Sequence, residues 1–499
     1  MSPRSRRAAL GAILLLGALL RSWGLGWGLP DDRHRDSYHP DEKLVAGEAA
    51  AMAARGDLHP RFYFYGTLPA YATLLLGWLL PLGDEAARPY VAGRIVAVAL
   101  GTLTVGVAYL AGRRLLDEGG AIAAALILAV MPGPAVHAHY AAVDVPATFF
   151  VSAALLLAAR AAPDPAERWL ALSGVAAGCA AACKYDAGLV VLAPLAAAVM
   201  HRDRGWRAVA LGAALALGGA AIAFVAACPY AVLDVRTFWP YLPALWAHTH
   251  RGHGLIFEKT GNGFLYLAAR NLPVIATIPV LLLAMAGVGR VARRPRPADV
   301  VVLVWAAAEV LMLASARVRF LRYALPLAPV LALWAAAGIG ALAAARRGLR
   351  RVATAIVAAW AFVVTAAHVA VFSRTDPRDA AAAWLAARPQ STVGVVKAPS
   401  FYTPPLGAHR AVVVGWSAAA LVAKKPQLFV TSEFETREEI RLGMEDAASF
   451  LVALDRDYER AAVFENPPAL FGHRLGPLFP PHDWLYPFPR VTVYRRRSP

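Results

Sequence analysis

Apolar runs long enough to cross a bilayer recur along this chain from Leu10 to about Phe372, and that recurrence dictates the class of fold. A helix needs about 20 apolar residues to span the hydrocarbon core. Inside lipid every backbone polar group must find a partner within the segment, which leaves helices as the natural solution for such runs. Only 17% of the 499 residues are charged and 59% are hydrophobic, whereas soluble domains carry about a quarter charged residues. The expectation is a mainly α-helical, polytopic membrane protein. The first run, Leu10 to Leu29, follows Arg4, Arg6 and Arg7 with no small-residue cleavage site before the next polar loop, so it reads as a retained helix rather than a removed signal.

A net charge of +17 invites a nucleic-acid partner, but the basic residues sit in short loops between apolar runs: Arg113-Arg114, Arg202 to Arg207, Arg290 to Arg296 and Arg346 to Arg351. That is the positive-inside pattern, which sets orientation and excludes nucleic acid as the better reading. With these clusters inside, crossings fall at 10–29, 89–112, 119–138, 145–160, 169–183, 186–200, 208–228, 271–289, 299–316, 321–345 and 352–372, about eleven (eleven to thirteen) in all. The stretch 66–82 is apolar, yet one more crossing would reverse every later loop, so it is expected to lie along or dip into the outer leaflet. Residues 41–55 read as a short Ala-rich helix, and 229–270 as a long outer loop. Three cysteines, Cys179, Cys183 and Cys228, lie in or beside apolar runs and argue no disulfide framework.

From Ser373 no run is long enough to span. Strand-like stretches appear at Thr392 to Lys397, Ala411 to Gly415, Leu428 to Thr431, Ala461 to Phe464 and Val491 to Tyr494, after a helical pattern at Arg378 to Ala387. The chain is therefore expected to divide into a transmembrane domain, 1–372, and a soluble α/β domain, 373–499, on the non-cytoplasmic side. A bacterial plasma (inner) membrane is the expected location.

Under this topology the ionisable residues near membrane depth gather on one side: Asp41, Glu42, Asp144, Lys184, Asp186, Asp234, the histidines of 248–253, Arg317, Arg319 and Arg322. Such groups are costly there and tend to line pathways or sites. Acids and cations at a lipid boundary suit glycosyl transfer from a lipid-linked sugar phosphate. A carboxylate takes the proton of the acceptor hydroxyl, and cations stabilise the departing phosphate. Asp41 is the expected base, Glu42 its neighbour or a substrate ligand, and Asp144 a second acid. Lys184 and the Arg317/Arg319/Arg322 group are the expected phosphate clamp. His248, His250 and His253 have metal-like spacing but no matching carboxylates, so they read as solvated loop residues and no metal site is expected. No cofactor is required; a divalent cation, Mg²⁺ or Mn²⁺, is compatible with a carboxylate and a phosphate together.

Four segments carry a family resemblance. His39-Pro40-Asp41-Glu42 resembles the acidic motif after the first helix of the GT-C membrane glycosyltransferases, nearest the protein O-mannosyltransferases and the bacterial aminoarabinose transferases acting on lipid A. His139-Tyr140-Ala141-Ala142-Val143-Asp144-Val145-Pro146 resembles the second acidic motif. Gly174-Val175-Ala176-Ala177-Gly178, leading to Cys183-Lys184-Tyr185, resembles their glycine-rich helix ending in lysine. Arg322-Tyr323-Ala324-Leu325-Pro326-Leu327-Ala328-Pro329 resembles the Arg-Tyr-x-x-Pro-x-x-Pro entry to a late helix. The resemblance covers roughly residues 8–345. It implies a GT-C fold, a polyprenyl-phosphate sugar donor, a periplasmic or lumenal site and inversion at the anomeric carbon, with His139 and Tyr323 joining the substrate-binding set. The acceptor is a lipid, a glycan or a protein. At Phe64-Tyr65-Gly66-Thr67-Leu68-Pro69 the chain lacks the lysine that the aminoarabinose transferases carry there.

Two other classes put charges at membrane depth. A transporter or lipid flippase places them near the midplane on broken helices, unlike the one-sided acids here. A non-catalytic membrane scaffold would need its C-terminal domain and tolerate neutral Asp41 and Asp144.

Overall fold

The computed structural model describes residues 2–80, 84–164, 166–343, 346–477 and 479–497. The first half runs through α1 (Pro3–Ser22), α2 (Glu42–Arg55), α3 (Leu68–Leu79), α4 (Arg88–Leu115), α5 (Glu118–Ala129), α6 (Pro132–His137), α7 (Asp144–Ala161), α8 (Glu167–Cys183), α9 (Leu192–Val199) and α10 (Trp206–Ala227). Helix α1 starts and stops earlier than the apolar run that announced it. Ser2 caps it through the Ser5 amide, and beyond Ser22 the positive φ of Gly24 and Gly28 turns the chain away. Arg21 lies buried in its last turn and donates to the carbonyls of Gly17 and Ala129 at 3.0 Å and of Leu128 at 3.3 Å, fastening α1 to α5.

Among the described residues six helices are long and apolar enough to cross a membrane, or seven if the bent pair Gly263–Ala276 and Ile278–Arg293 is one span. Several of the eleven apolar runs expected as crossings are broken rather than single continuous helices. The 119–138 run divides into α5 and α6 just before Pro132, which has no amide to continue the ladder. The 186–200 run is a 3₁₀ stretch, Tyr185–Val191, followed by the short α9. The 271–289 run bends by 114° where Thr277 takes φ 72°. Helix α3 has 12 residues, about 18 Å at 1.5 Å per residue, short of the hydrocarbon core of about 30 Å. Positions 81 and 82 of the 66–82 stretch, and 344–345 of the 321–345 crossing, lie outside the described residues.

Helices α8 and α10 pack backbone to backbone. A Cβ on Gly174 would stand 2.0 Å from the Ala216 carbonyl oxygen, and one on Gly178 would stand 2.2 Å from that of Ala220. The four-residue glycine spacing puts both on one face, and their lack of side chains sets the approach that carries Lys184, at the end of α8.

The C-terminal part forms a five-stranded sheet of β1 (Thr392–Val395), β2 (Arg410–Val413), β3 (Leu428–Ser432), β4 (Tyr458–Phe464) and β7 (Val491–Arg496), ordered β2-β1-β3-β7-β4, with a separate hairpin of β5 (Ala469–Leu470) and β6 (His473–Arg474). β1 pairs in parallel with β2 and β3, while β7 is antiparallel to β3 and β4. All five stretches expected as strands are strands, and the expected helix is Pro377–Ala386. The sheet is tied to the helical part by the segment before β7: Trp484, Leu485 and Tyr486 are buried in the main helical core.

The loop after α1 is held by Glu42. Its carboxylate receives Arg94 Nε and Nη2, each at 2.7 Å, the Ala141 amide at 2.7 Å, and the Ser37 hydroxyl. Both side chains of the pair are fully buried. Removing one partner of a buried ion pair leaves an uncompensated charge, at a cost of about 3–5 kcal/mol. Glu42→Gln is therefore expected to lower the thermal unfolding midpoint of the purified protein far more than Glu48→Gln, a partly exposed acid on the same helix. Equal midpoints would refute the pairing.

Candidate active site

Four elements from separate parts of the chain bring their ends together. Asp41 is the residue before α2, Asp144 opens α7, Lys184 caps α8, and Arg322 sits in the 3₁₀ turn Leu321–Leu327 that enters the helix Ala328–Leu342. Pro326 and Pro329 shape that turn by removing amides and fixing φ. Arg322 Nη2 is 2.8 Å from Asp41 Oδ2, and Arg322 Nε is 3.8 Å from Asp144 Oδ2. Lys184 Nζ donates to Asp144 Oδ1 at 3.0 Å and stands 3.7 Å from Asp186 Oδ2. It also lies 3.7 Å from the centre of the Tyr323 ring, a cation–π contact. Asp41 and Lys184 keep 16% and 12% of their side-chain surface, against 5% for Asp144 and 4% for Arg322. The first two are thus the members that a ligand reaches.

The cluster is electrostatically uneven. Burial pushes the Asp41 carboxyl above the ordinary range; Arg322 opposes the shift, and Asp144 and Asp483 add to it. For Lys184 burial works against the charge, but Asp144 and Asp186 outweigh it and hold the ammonium above its usual value. The Asp41–Arg322 contact is close without being an aligned hydrogen bond, since Asp41 Oδ2 is buried and has no hydrogen-bond partner among the described residues. The carboxylate thus retains acceptor capacity for a further donor.

The other expected residues fall elsewhere. Glu42, adjacent in sequence to Asp41, is fully buried with its acceptor sites filled by Arg94, Ser37 and Ala141, so it holds the loop and offers no lone pair to a ligand. His139 stacks on Phe372 at 4.1 Å, with Nδ1 2.9 Å from the Ala135 carbonyl and Nε2 2.9 Å from that of Trp23. Neither ring nitrogen is left for a substrate. Arg317 is exposed, and its amide binds the Thr249 carbonyl. Arg319 donates to Thr260 Oγ1 at 3.1 Å and the Gly261 carbonyl at 2.8 Å, pinning the loop before it. Of the three arginines, Arg322 alone joins these carboxylates among the described residues. Tyr323 stays at the site beneath Lys184. Asp234 pairs with His59 at 3.0 Å, away from the cluster. His248 and His253 neighbour each other at 5.0 Å between ring centres, while His250 stacks on Trp246 at 4.5 Å. Among the described residues no group of three or more His, Cys, Asp or Glu side chains is disposed to hold a metal ion.

Sequence reasoning missed Asp483. From the segment before β7 its carboxylate accepts the Leu321 amide at 3.1 Å, the Arg322 amide at 3.0 Å and Arg322 Nη1 at 3.3 Å. It caps the turn that carries Arg322 and is its third carboxylate partner. His39 and His137 line the same region, each buried with Nε2 unpartnered among the described residues. The only signal for Asp483 was an acid in a Pro-Pro-His-Asp-Trp stretch that fits no strand. Asp483→Ala strips a buried charge-assisted contact and two amide bonds, so a loss of about 1–3 kcal/mol is expected. Thermal unfolding reads it, and an unchanged midpoint would show that Arg322 is held without it.

Residues 73–233 match the profile of the dolichyl-phosphate-mannose-protein mannosyltransferase family. No curated protein matches by sequence search. Among solved structures the chain is similar to ArnT from Cupriavidus metallidurans bound to undecaprenyl phosphate, with a TM-score of 0.58 and 16% identity over 99% of this chain and 98% of that one. It is also similar to the Archaeoglobus fulgidus oligosaccharyltransferase in the apo form, with a TM-score of 0.54 and 14% identity over 96% and 76%. The archaeal oligosaccharyltransferase AglB from Archaeoglobus fulgidus, in complex with an inhibitory peptide and a dolichol-phosphate, gives a TM-score of 0.53 at 14% identity over 96% and 77%. At these identities the likeness shows a shared fold.

Proposed function

We propose that this chain, a membrane glycosyltransferase of the GT-C fold by its profile match and its structural neighbours, moves a sugar from a polyprenyl-phosphate carrier to an acceptor hydroxyl on the extracytoplasmic side of a bacterial inner membrane. The observation that carries the reading is the reachable Asp41 carboxylate beside two cations, Arg322 and Lys184, drawn from different parts of the chain. Neighbours of the same fold hold undecaprenyl phosphate and dolichol-phosphate, and a lipid phosphate is the ligand that such a pair of cations recognises.

In the proposed step the acceptor hydroxyl gives its proton to Asp41 as its oxygen bonds the anomeric carbon. The bond from that carbon to the phosphate oxygen breaks, and the polyprenyl phosphate leaves with the electron pair. Arg322 and Lys184 take up the charge on the departing phosphate. Attack opposite the leaving group inverts the anomeric centre. Without donor, Asp41 and Asp144 balance the cations. A phosphate that draws Arg322 and Lys184 to itself withdraws the groups that favour the ionised form of Asp41, so the base gains proton affinity when it is needed. Asp144 orients Lys184, and Glu42 fixes the loop that presents Asp41. Two cations suffice for the phosphate, so transfer is expected to continue in a chelator such as EDTA; its loss and recovery with added Mn²⁺ or Mg²⁺ would show a metal requirement.

The decisive assay incubates the purified protein with a panel of polyprenyl-phosphate sugars and cell-envelope acceptors and identifies the product's anomeric configuration. Asp41→Asn is expected to lower kcat by about 10²–10⁴-fold, the range for loss of a general base, and turnover equal to wild type would remove Asp41 from that role. The base works ionised, so kcat/KM should fall as pH drops through the Asp41 pKa. Because that pKa is raised, the acid limb is expected above the ordinary carboxylate value of about 3.9. Arg322→Gln removes the group that opposes the rise and should move the limb to still higher pH.

A further inference from the structure

A cavity of about 1090 Å³ lies between residues 256–270 and the C-terminal sheet, and the carboxylates of the cluster are not among its lining residues. Among its charged lining residues the cations outnumber the acids: Lys259, Arg270, Arg437, Arg441 and Arg490 against Glu433 and Glu438. Several of these groups pair with one another or with neighbours: Glu438 accepts from Arg441 at 2.5 Å and lies 3.8 Å from Arg437 Nε, Glu433 accepts the Arg490 amide at 3.3 Å, Arg490 Nε donates to Glu465 at 3.1 Å, and Arg270 Nη1 donates to the Phe479 carbonyl at 3.2 Å. Arg441 also binds the carbonyls of Leu255 and Glu258 and so closes one end of the cleft.

Two residues on this wall carry nitrogens without a partner among the described residues. Arg437 gives Nη2 to the Pro480 carbonyl at 2.6 Å, yet its Nη1 is buried with no acceptor among the described residues. His482 is 6% exposed, and neither ring nitrogen has a partner among them. Burial, with Arg437 and Arg322 nearby, pushes this imidazole down to about 3, so it is neutral at physiological pH, with one donor and one acceptor nitrogen. Buried polar groups are nearly always satisfied, so these nitrogens are free to bind a ligand's oxygens or water. His482 directly precedes Asp483, the partner of Arg322, and its ring lies 6.3 Å from that of Phe320, on which the Arg322 guanidinium rests at 4.0 Å. The cleft and the carboxylate cluster therefore share one wall.

We infer that this cleft is the acceptor subsite and that the acceptor is anionic, carrying a phosphate or carboxylate on a sugar whose free hydroxyl is glycosylated. The inference rests on the glycosyltransferase reading above. Arg437 and Lys259 hold the anion, and His482 meets a neighbouring hydroxyl through its donor or acceptor nitrogen. A neutral acceptor leaves Arg437 Nη1 unpaired and binds less well for that reason.

Calorimetric binding to the full-length protein tests this with three probes: a disaccharide monophosphate, the same disaccharide without phosphate, and a uronic-acid disaccharide of the same size. At least one anionic probe is expected to bind tenfold or more tightly than the neutral one, and comparing the two identifies phosphate or carboxylate as the group recognised. Lys259→Gln, at an exposed position, and Arg437→Gln should each reduce the preference severalfold, and Asp41→Asn should leave it intact. Equal binding of all three probes, or a preference that survives both substitutions, overturns the inference. If Arg437→Gln fails to fold, Lys259→Gln alone decides. An anion preference together with transfer that is indifferent to Asp41→Asn counts against the function and not the cleft. Transfer that needs Asp41 without any preference counts against the cleft alone.

Discussion

A single buried guanidinium organises this molecule. Arg322 is 4% exposed in its side chain and meets Asp41, Asp144 and Asp483, which come from the loop after α1, from the start of α7 and from the segment before β7. A charge in that position is tolerable only with close counter-charges, because its desolvation would otherwise dominate. The pairing therefore constrains three chain segments at once, and each must arrive in register for the others to be satisfied. Four carboxylates, counting Asp186 beside Lys184, surround two cations and leave the cluster short of positive charge. Burial raises the proton affinity of Asp41 first; Arg322 opposes the rise, and Asp144 and Asp483 add to it.

Asp41 and Glu42 show how neighbouring acids acquire opposite fates. They are consecutive at the start of α2, where one residue of helix turns the side chain by about 100°. Glu42 turns into the protein, where Arg94, Ser37 and the Ala141 amide fill its acceptor sites; Asp41 turns toward Arg322 and keeps an open lone pair. The first builds the support for the second. Environment, rather than residue type, separates the group that holds from the group that is free to react.

The C-terminal sheet is not an appendage to the helices. Trp484, Leu485 and Tyr486 enter the main helical core, Asp483 completes the shell of Arg322, and His482 faces the neighbouring cleft. Five consecutive residues thus join sheet, helices and the candidate site. Such a link makes the position of Arg322 depend on correct docking of the C-terminal part, and it places the cleft wall and the carboxylates in one rigid turn.

Much was legible in the residues themselves. Length and spacing of the apolar runs required membrane-crossing helices, the arginine clusters suggested their orientation, and alternation after Ser373 marked all five strands. Acids and cations at the helix ends, with Tyr323 added by the family resemblance, named a candidate set that includes Asp41, Asp144, Lys184, Arg322 and Tyr323, all of which the structure brings together. The same criteria admitted Glu42, Arg317 and Arg319, and the resemblance admitted His139, all of which it engages elsewhere. They could not tell these apart, since residue type and depth do not specify rotation about a helix axis or the path of an extended segment. Broken spans were equally hidden, because hydropathy measures apolar length and is blind to a bend at Thr277 or a ladder interrupted before Pro132. Asp483 lay about 160 residues from Arg322 with no periodicity to connect them. Local chemistry thus decided which elements form and which side chains are candidates; only packing of distant segments decided which candidates share a site, because an ion pair depends on separation in space and not on separation along the chain.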